Sequence, residues 1–112
     1  TGSDIRWKKN IKVLNNSLSG IMELNAVSYD LRIDEFPEMG FQTGTQIGLI
    51  AQNVEKVFPE LVITDDSGYK AVSYEKLSVI LVEGLKEQQQ MIQEQQKQID
   101  ELKKLVESLI QK

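Results

Sequence analysis

The chain has 112 residues, no cysteine, no histidine and a formal charge of −4 from 13 basic and 17 acidic side chains. The lack of cysteine excludes disulfides and thiol chemistry and leaves the redox compartment undecided, and the mixed signs give neither a nucleic-acid footprint nor a basic membrane face. No apolar run approaches the ~20 residues of a membrane span and no signal-peptide pattern opens the chain; Thr1 and Gly2 read as the edge of a fragment or a cloning remnant.

The stretch SDIRWK, Ser3 to Lys8, sets a serine five positions before a lysine. From Lys9 to Leu24 the residues Ile11, Leu14, Leu18, Ile21 and Leu24 recur at threes and fours, which predicts a helix, weakened slightly by Gly20. In AVSYDLRI, Ala26 to Ile33, the residues Val27, Tyr29, Leu31 and Ile33 alternate with polar ones, the pattern of a half-buried strand. Asp34 to Thr45 is broken by Pro37, Gly40 and Gly44 and reads as a loop. Its Phe36, Met39 and Phe41 make it more apolar than a loop requires; contact with an adjacent subunit or with a client protein are the two uses, and a subunit contact is expected. In QIGLIAQNVEKVFPEL, the residues Ile47, Ile50, Ala51, Val54 and Val57 lie on one helical face and Pro59 ends the helix. Leu61 to Tyr74 then reads as two short strands around an Asp-Ser-Gly turn, a hairpin.

From about Tyr74 the chain reads as helix. Its first part, LSVILVEGL, is apolar all round and is expected to be buried against the preceding domain. Beyond it Leu85, Ile92, Ile99 and Val106 are seven apart, and Leu81, Gln88, Gln95, Leu102 and Leu109 fill the other seam position, a coiled coil over four heptads. β-Branched residues at the first seam with leucine at the second favour two strands. Met91, Leu105 and Ile110 widen the stripe beyond what two helices bury, and two seam positions are glutamine, so we expect a trimer. The alternative is a single helix folded back on its own domain. The fold class is therefore α+β: a globular domain over residues 1–80 of helices and short antiparallel strands, then a coiled-coil helix over 81–112. A core of roughly 75 to 80 residues is marginally stable alone and gains from oligomerisation.

Ser3-Asp4 ahead of a helix is ordinary capping chemistry, in which side-chain oxygens accept free backbone N–H groups. A spacing of five does not set two side chains on one helical face, so a contact between Ser3 and Lys8 needs a non-helical turn or a lysine from a neighbouring chain. A Ser–Lys pair is nonetheless a known variant of nucleophilic serine chemistry, open to a protein without histidine.

SDIRWKKNI, YDLR, IGLIAQNVEKVFPELV and a C-terminal coiled coil occur here in one order. That order resembles the intramolecular chaperone domain of phage endosialidases and tailspikes, the peptidase S74 family, with relatives in the myelin regulatory factors, and it covers the chain from Ser3 onward. The resemblance implies a C-terminal domain that helps three copies of an upstream region intertwine and then cuts itself off. It implies Ser3 as nucleophile, Lys8 as general base and cleavage between Gly2 and Ser3. Trp7 departs from the smaller aliphatic residue that many relatives carry. The base must be neutral, whereas a free lysine titrates near 10.4; burial or positive charge from Lys9 and Arg6 would favour the neutral form, and Asp4 would oppose it. Backbone N–H groups would stabilise the oxyanion. Gln52 is either a structural residue, satisfying backbone groups or a neighbouring chain, or a support for the cleavage site. The implied partners are two further copies and the upstream region of the precursor, with no direct nucleic acid, membrane, metal or cofactor. The family suggests phage tail-fibre assembly in the bacterial cytoplasm, or a bacterial surface protein. A non-cleaving trimerisation module of a fibre, surface protein or transcription factor is the competing reading.

Overall fold

A computed structural model describes residues 2–111; Thr1 and Lys112 lie outside the described residues. The chain opens with a 3₁₀ turn over Ile5–Trp7, followed by an open stretch to Asn16 and a short helix α1, Ser17–Ile21. Strand β1, Val27–Tyr29, pairs antiparallel with β2, Gln46–Gly48, in the register Val27 to Gly48 and Tyr29 to Gln46. A second 3₁₀ turn, Pro37–Met39, lies in the loop between them. Helix α2, Ala51–Val57, leads through a 3₁₀ turn at Pro59–Leu61 into β3, Val62–Thr64, which pairs antiparallel with β4, Lys70–Val72. The hairpin is closed by Asp65, whose Oδ1 accepts the Ser67 and Tyr69 N–H groups, each at 2.9 Å, and by Gly68 at φ 89°, a conformation that favours glycine. Helix α3 then runs without a break from Tyr74 to Ile110, with Ser73 Oγ accepting the Lys76 N–H at its start.

The core is small. Val54, Phe58, Leu61 and Ile80 are buried, with Ile21, Leu24, Leu49, Val57, Val62, Val72 and Leu77 packed around them. Helix α1 packs against α3 on one side and against Phe58, at the end of α2, on another. A β-carbon on Gly84 would run into the Ile21 side chain, and one on Gly20 would run into the Phe58 ring, so both contacts rest on glycine. Glu87 of α3 completes the crossing: its two carboxylate oxygens accept the Ser17 N–H at 3.1 Å and the Leu18 N–H at 2.7 Å. Two first-turn N–H groups of α1 that the helix itself cannot satisfy are thus capped from another element. From the hairpin side, Lys70 Nζ bonds both Glu55 of α2 and Thr64 of β3, at 3.0 and 2.9 Å.

Four local expectations are corrected. The helix expected over 9–24 is confined to Ser17–Ile21, because Asn10 and Asn16 take positive φ of 55° and 57°, the left-handed conformation that asparagine tolerates and a helix does not. The helix expected from Ile47 begins at Ala51, and Ile47 instead stands in β2, 83% exposed. Its helical spacing to Ile50, Ala51 and Val54 is coincidental. LSVILVEGL is not buried all round: Leu77, Ile80 and Gly84 face the domain, while Val79 and Val82 are exposed. The strand expected over 26–33 is shorter, because residues after Tyr29 turn away at Ile33–Glu35. The loop aromatics are partly accounted for within the chain, since Phe36 meets Phe41 and Tyr69 edge to face at centroid separations of 6.5 and 6.4 Å.

Beyond Glu87 the helix stands clear of the domain, and every described residue from Gln88 onward is exposed. The molecule is accordingly elongated, 77 Å along its longest axis. No helix among the described residues is long and apolar enough to cross a membrane.

Candidate functional site

The site is built by the first 3₁₀ turn. Asp4 caps it: its backbone carbonyl accepts the Trp7 N–H and its Oδ1 accepts the Arg6 N–H, at 3.1 and 2.9 Å. The Arg6 guanidinium folds back onto the same carboxylate, with Nε and Nη2 donating at 3.0 and 2.8 Å. That fork geometry holds the Asp4 carboxyl below its ordinary value, chiefly through the guanidinium and then through the Arg6 N–H, and it raises Arg6 in turn. The chain leaves the turn extended at Lys8, whose N–H donates to the Ile5 carbonyl at 3.1 Å.

Reversing direction within four residues brings positions five apart side by side. Lys8 Nζ lies 2.7 Å from Ser3 Oγ, donating to it. With the amine neutral, the same separation serves the reverse donation, from the serine hydroxyl to the lysine, and it falls within the reach expected of a nucleophile and its base. Within a single chain the turn sets Ser3 beside Lys8. Both side chains are exposed. Asp4 lies at the turn, but its charge is engaged by Arg6 rather than facing Lys8.

Gln52 is elsewhere. It is exposed on α2 and lines an open groove with Val27, Tyr29, Leu49, Val72 and Tyr74. The Tyr74 hydroxyl accepts the Leu49 N–H there, at 2.9 Å. Gly2 is close to the dyad and lies under the Trp7 ring, a contact that spacing alone did not suggest. The Glu87 clamp on α1 was also missed, because a glutamate between heptads carries no sequence signal for a partner 70 residues away. The seam residues Leu85, Gln88, Ile92, Gln95, Ile99, Leu102, Val106 and Leu109 all lie on α3 and all are exposed in the single chain. Among the described residues no cluster of three or more potential metal ligands is found.

Fold and site together define a small α+β head on a long bare helix, with a hydroxyl and an amine paired at its N-terminal edge. Sequence comparison places this anatomy. The family model described as the chaperone of endosialidase, peptidase S74, matches residues 3–63, just over half of the chain, and the chain belongs to that family. Over 88 residues it is 38% identical to the long tail fiber protein Gp37 of Enterobacteria phage K3 and, equally, to Gp37 of Enterobacteria phage T2. These matches take in 75% of this chain but only 7% and 6% of the two fibre proteins.

Proposed function

We propose that the chain is an intramolecular chaperone that drives three copies of an upstream fibre region to associate and fold, then releases itself by cutting before Ser3. The observation that carries this reading is the 2.7 Å approach of Ser3 Oγ and Lys8 Nζ. Membership of the chaperone family and likeness to two tail fibre proteins support the fibre as client.

The reaction follows from the pair. Neutral Lys8 accepts the Ser3 hydroxyl proton as Oγ attacks the Gly2 carbonyl carbon. The tetrahedral intermediate collapses with rupture of the Gly2–Ser3 C–N bond, and the Lys8 ammonium returns the proton to the leaving nitrogen. An ester between Gly2 and Ser3 Oγ remains, and Ser3 carries a free α-amine. Water adds to the ester carbonyl, the C–O bond breaks, and Ser3 recovers its hydroxyl while Gly2 leaves as a carboxylate. Each chain performs this once.

Exposure of the dyad suggests how the cut waits for assembly. The base must be neutral, and coverage by neighbouring chains disfavours the charged form of an amine. Geometry is set within each chain, and association supplies the desolvation. Support from Gln52 would come from a neighbouring chain, since its own α2 does not bring it to the turn.

The test is intact mass of the chain expressed behind its native upstream segment, beside Ser3→Ala and Lys8→Ala versions. A cut before Ser3 in the parent is expected, slowed on the order of a thousandfold or more in both variants. The bare seam favours a second reading, a trimerisation module that does not cut, because an exposed stripe of leucine and isoleucine needs a partner whatever the dyad does. A parent that stays full-length yet forms trimers would leave that reading standing.

A further inference from the structure

We propose that Leu81, Val82 and Leu85 form a docking face beside the head, which seats against the α1-bearing side of a second copy; the inference rests on the self-association reading above. On α3 between Tyr74 and Glu87, the head covers Leu77 and Ile80, and Gly84 receives the Ile21 side chain of α1. Leu81, Val82 and Leu85 stay exposed. Side chains three and four apart share a helix face, so Leu77, Ile80 and Gly84 form the face that the head occupies, and Leu81 and Leu85 lie on another. Leu81 and Leu85 also stand at the two seam positions that continue as Gln88 and Ile92. The bare stripe of the distal helix therefore begins inside the head.

With Leu85 and Ile92 at heptad position a and Leu81 and Gln88 at d, Val82 falls at e and Gly84 at g. Copies whose upstream regions are to associate must lie parallel, and in a parallel coil the e flank of one helix faces the g flank of the next. The two flanks differ at the level of the head. Val82 leaves one bare, whereas α1 of the same chain sits on the other at Gly84. The bare flank of one copy thus meets the α1-covered flank of its neighbour, where Met22 at the end of α1 is itself exposed. Val79 supplies the contrast. It is 58% exposed against 57% for Val82, yet it opens onto a hollow with Leu14, Phe58 and Ile80, away from the seam. Helix α1 follows directly on the arm that carries Ser3 and Lys8, so a neighbour seated on α1 reaches that arm. Cutting then requires the heads to close on one another, beyond the joining of the distal helices.

The experiment follows cutting by intact mass for Val82→Glu, Val82→Ile and Val79→Glu, in the chain behind its upstream segment. Val82→Glu is expected to slow cutting on the order of tenfold or more, because association takes its carboxylate out of water. Val82→Ile and Val79→Glu should cut at the parent's rate, and the apolar seam from Ile99 onward should still hold the Val82→Glu copies together in sedimentation velocity. Val82→Glu cutting at the parent's rate, or Val79→Glu slowing as much, would overturn the inference. The surface is also read without the cut. In the 112-residue Ser3→Ala chain, which has no cysteine of its own, single Val82→Cys and Met22→Cys substitutions should lose reactivity towards a maleimide as the chain associates, while Val79→Cys keeps it. A cysteine at position 22 or 82 that stays reactive in the associated chain would overturn the inference as well. A parent that associates without cutting fails the self-cleavage reading alone, and thiol protection then decides. A chain that stays monomeric overturns the docking face together with the association reading.

Discussion

At the scale of single residues, Asp4 is the keystone of the site although it does not touch Ser3 or Lys8. It holds the turn through the Arg6 N–H and guanidinium. Asp4→Ala should slow self-cleavage roughly tenfold, in line with the usual loss of a cap, while Asp4→Asn keeps an acceptor for the Arg6 N–H and should lose less. A time course of intact mass separates the three. The pH sign follows from the lowered carboxyl. A group depressed in the folded state stabilises it above its unfolded value, here ordinarily 3.8, and that contribution is lost as pH falls through the depressed value. NMR shifts of residues 4–8 should therefore hold constant through mild acid and move only below the ordinary carboxylate range. Ser3 and Lys8 were singled out by the family resemblance that the order of motifs carries, not by their spacing. Their contact was not legible, because helical geometry predicts neighbours at three and four, and the reversal depends on a cap formed by two residues of opposite charge.

At the scale of elements, α1 is joined to α3 by Gly84 and the Glu87 carboxylate, and to Phe58 at the end of α2 by Gly20. The glycines differ in what faces them. Above Gly20 stands the ring of Phe58, held in the core, whereas above Gly84 only the terminal methyl of Ile21 intrudes. Replacing glycine by alanine in a helix gains about 0.5–1 kcal/mol, and crowding a packed core costs about 1–3 kcal/mol. Gly20→Ala should therefore be destabilising by roughly 1–2 kcal/mol, while Gly84→Ala should lie near neutral as the methyl swings aside. Glu87→Ala leaves two N–H groups of α1 without acceptors and should cost about 1–3 kcal/mol, with Glu87→Gln milder. Denaturant unfolding measures all four. The hairpin was readable because turn residues announce it, and α3 because its apolar and heptad pattern does. The limits of α1 and α2 were not: Asn10 and Asn16 act through φ rather than polarity, and Ile47 satisfied a helical spacing while pairing in a strand.

At the scale of the whole molecule, one continuous helix serves two surfaces. As far as Glu87 it contacts the head, and beyond that it presents an unburied seam. Partner copies would cover Ile92 and Ile99, so a trimer is expected in solution, and the pair Ile92→Asp with Ile99→Asp should reduce it to monomers by sedimentation velocity. Unfolding temperature should rise with concentration in the parent and lose that dependence in the variant. The heptads made the exposed apolar stripe of α3 legible from sequence. The grip of α1 on Gly84 and Glu87 was not, since it joins segments far apart in the chain by one close approach and one cap.

The dyad belongs to the most local part of the fold, and that bears on when the chemistry can happen. Loops of about ten residues close in roughly 10–100 ns, and Ser3 and Lys8 are only five apart. Strand pairing between β1 and β2 and the gathering of separate chains are slower by orders of magnitude, as long-range and concentration-dependent events are. Meeting of the pair therefore cannot act as the clock for release. If the proposed cut takes place on association, its timing would be set by the last slow step of assembly, and its lag should shorten as chain concentration rises.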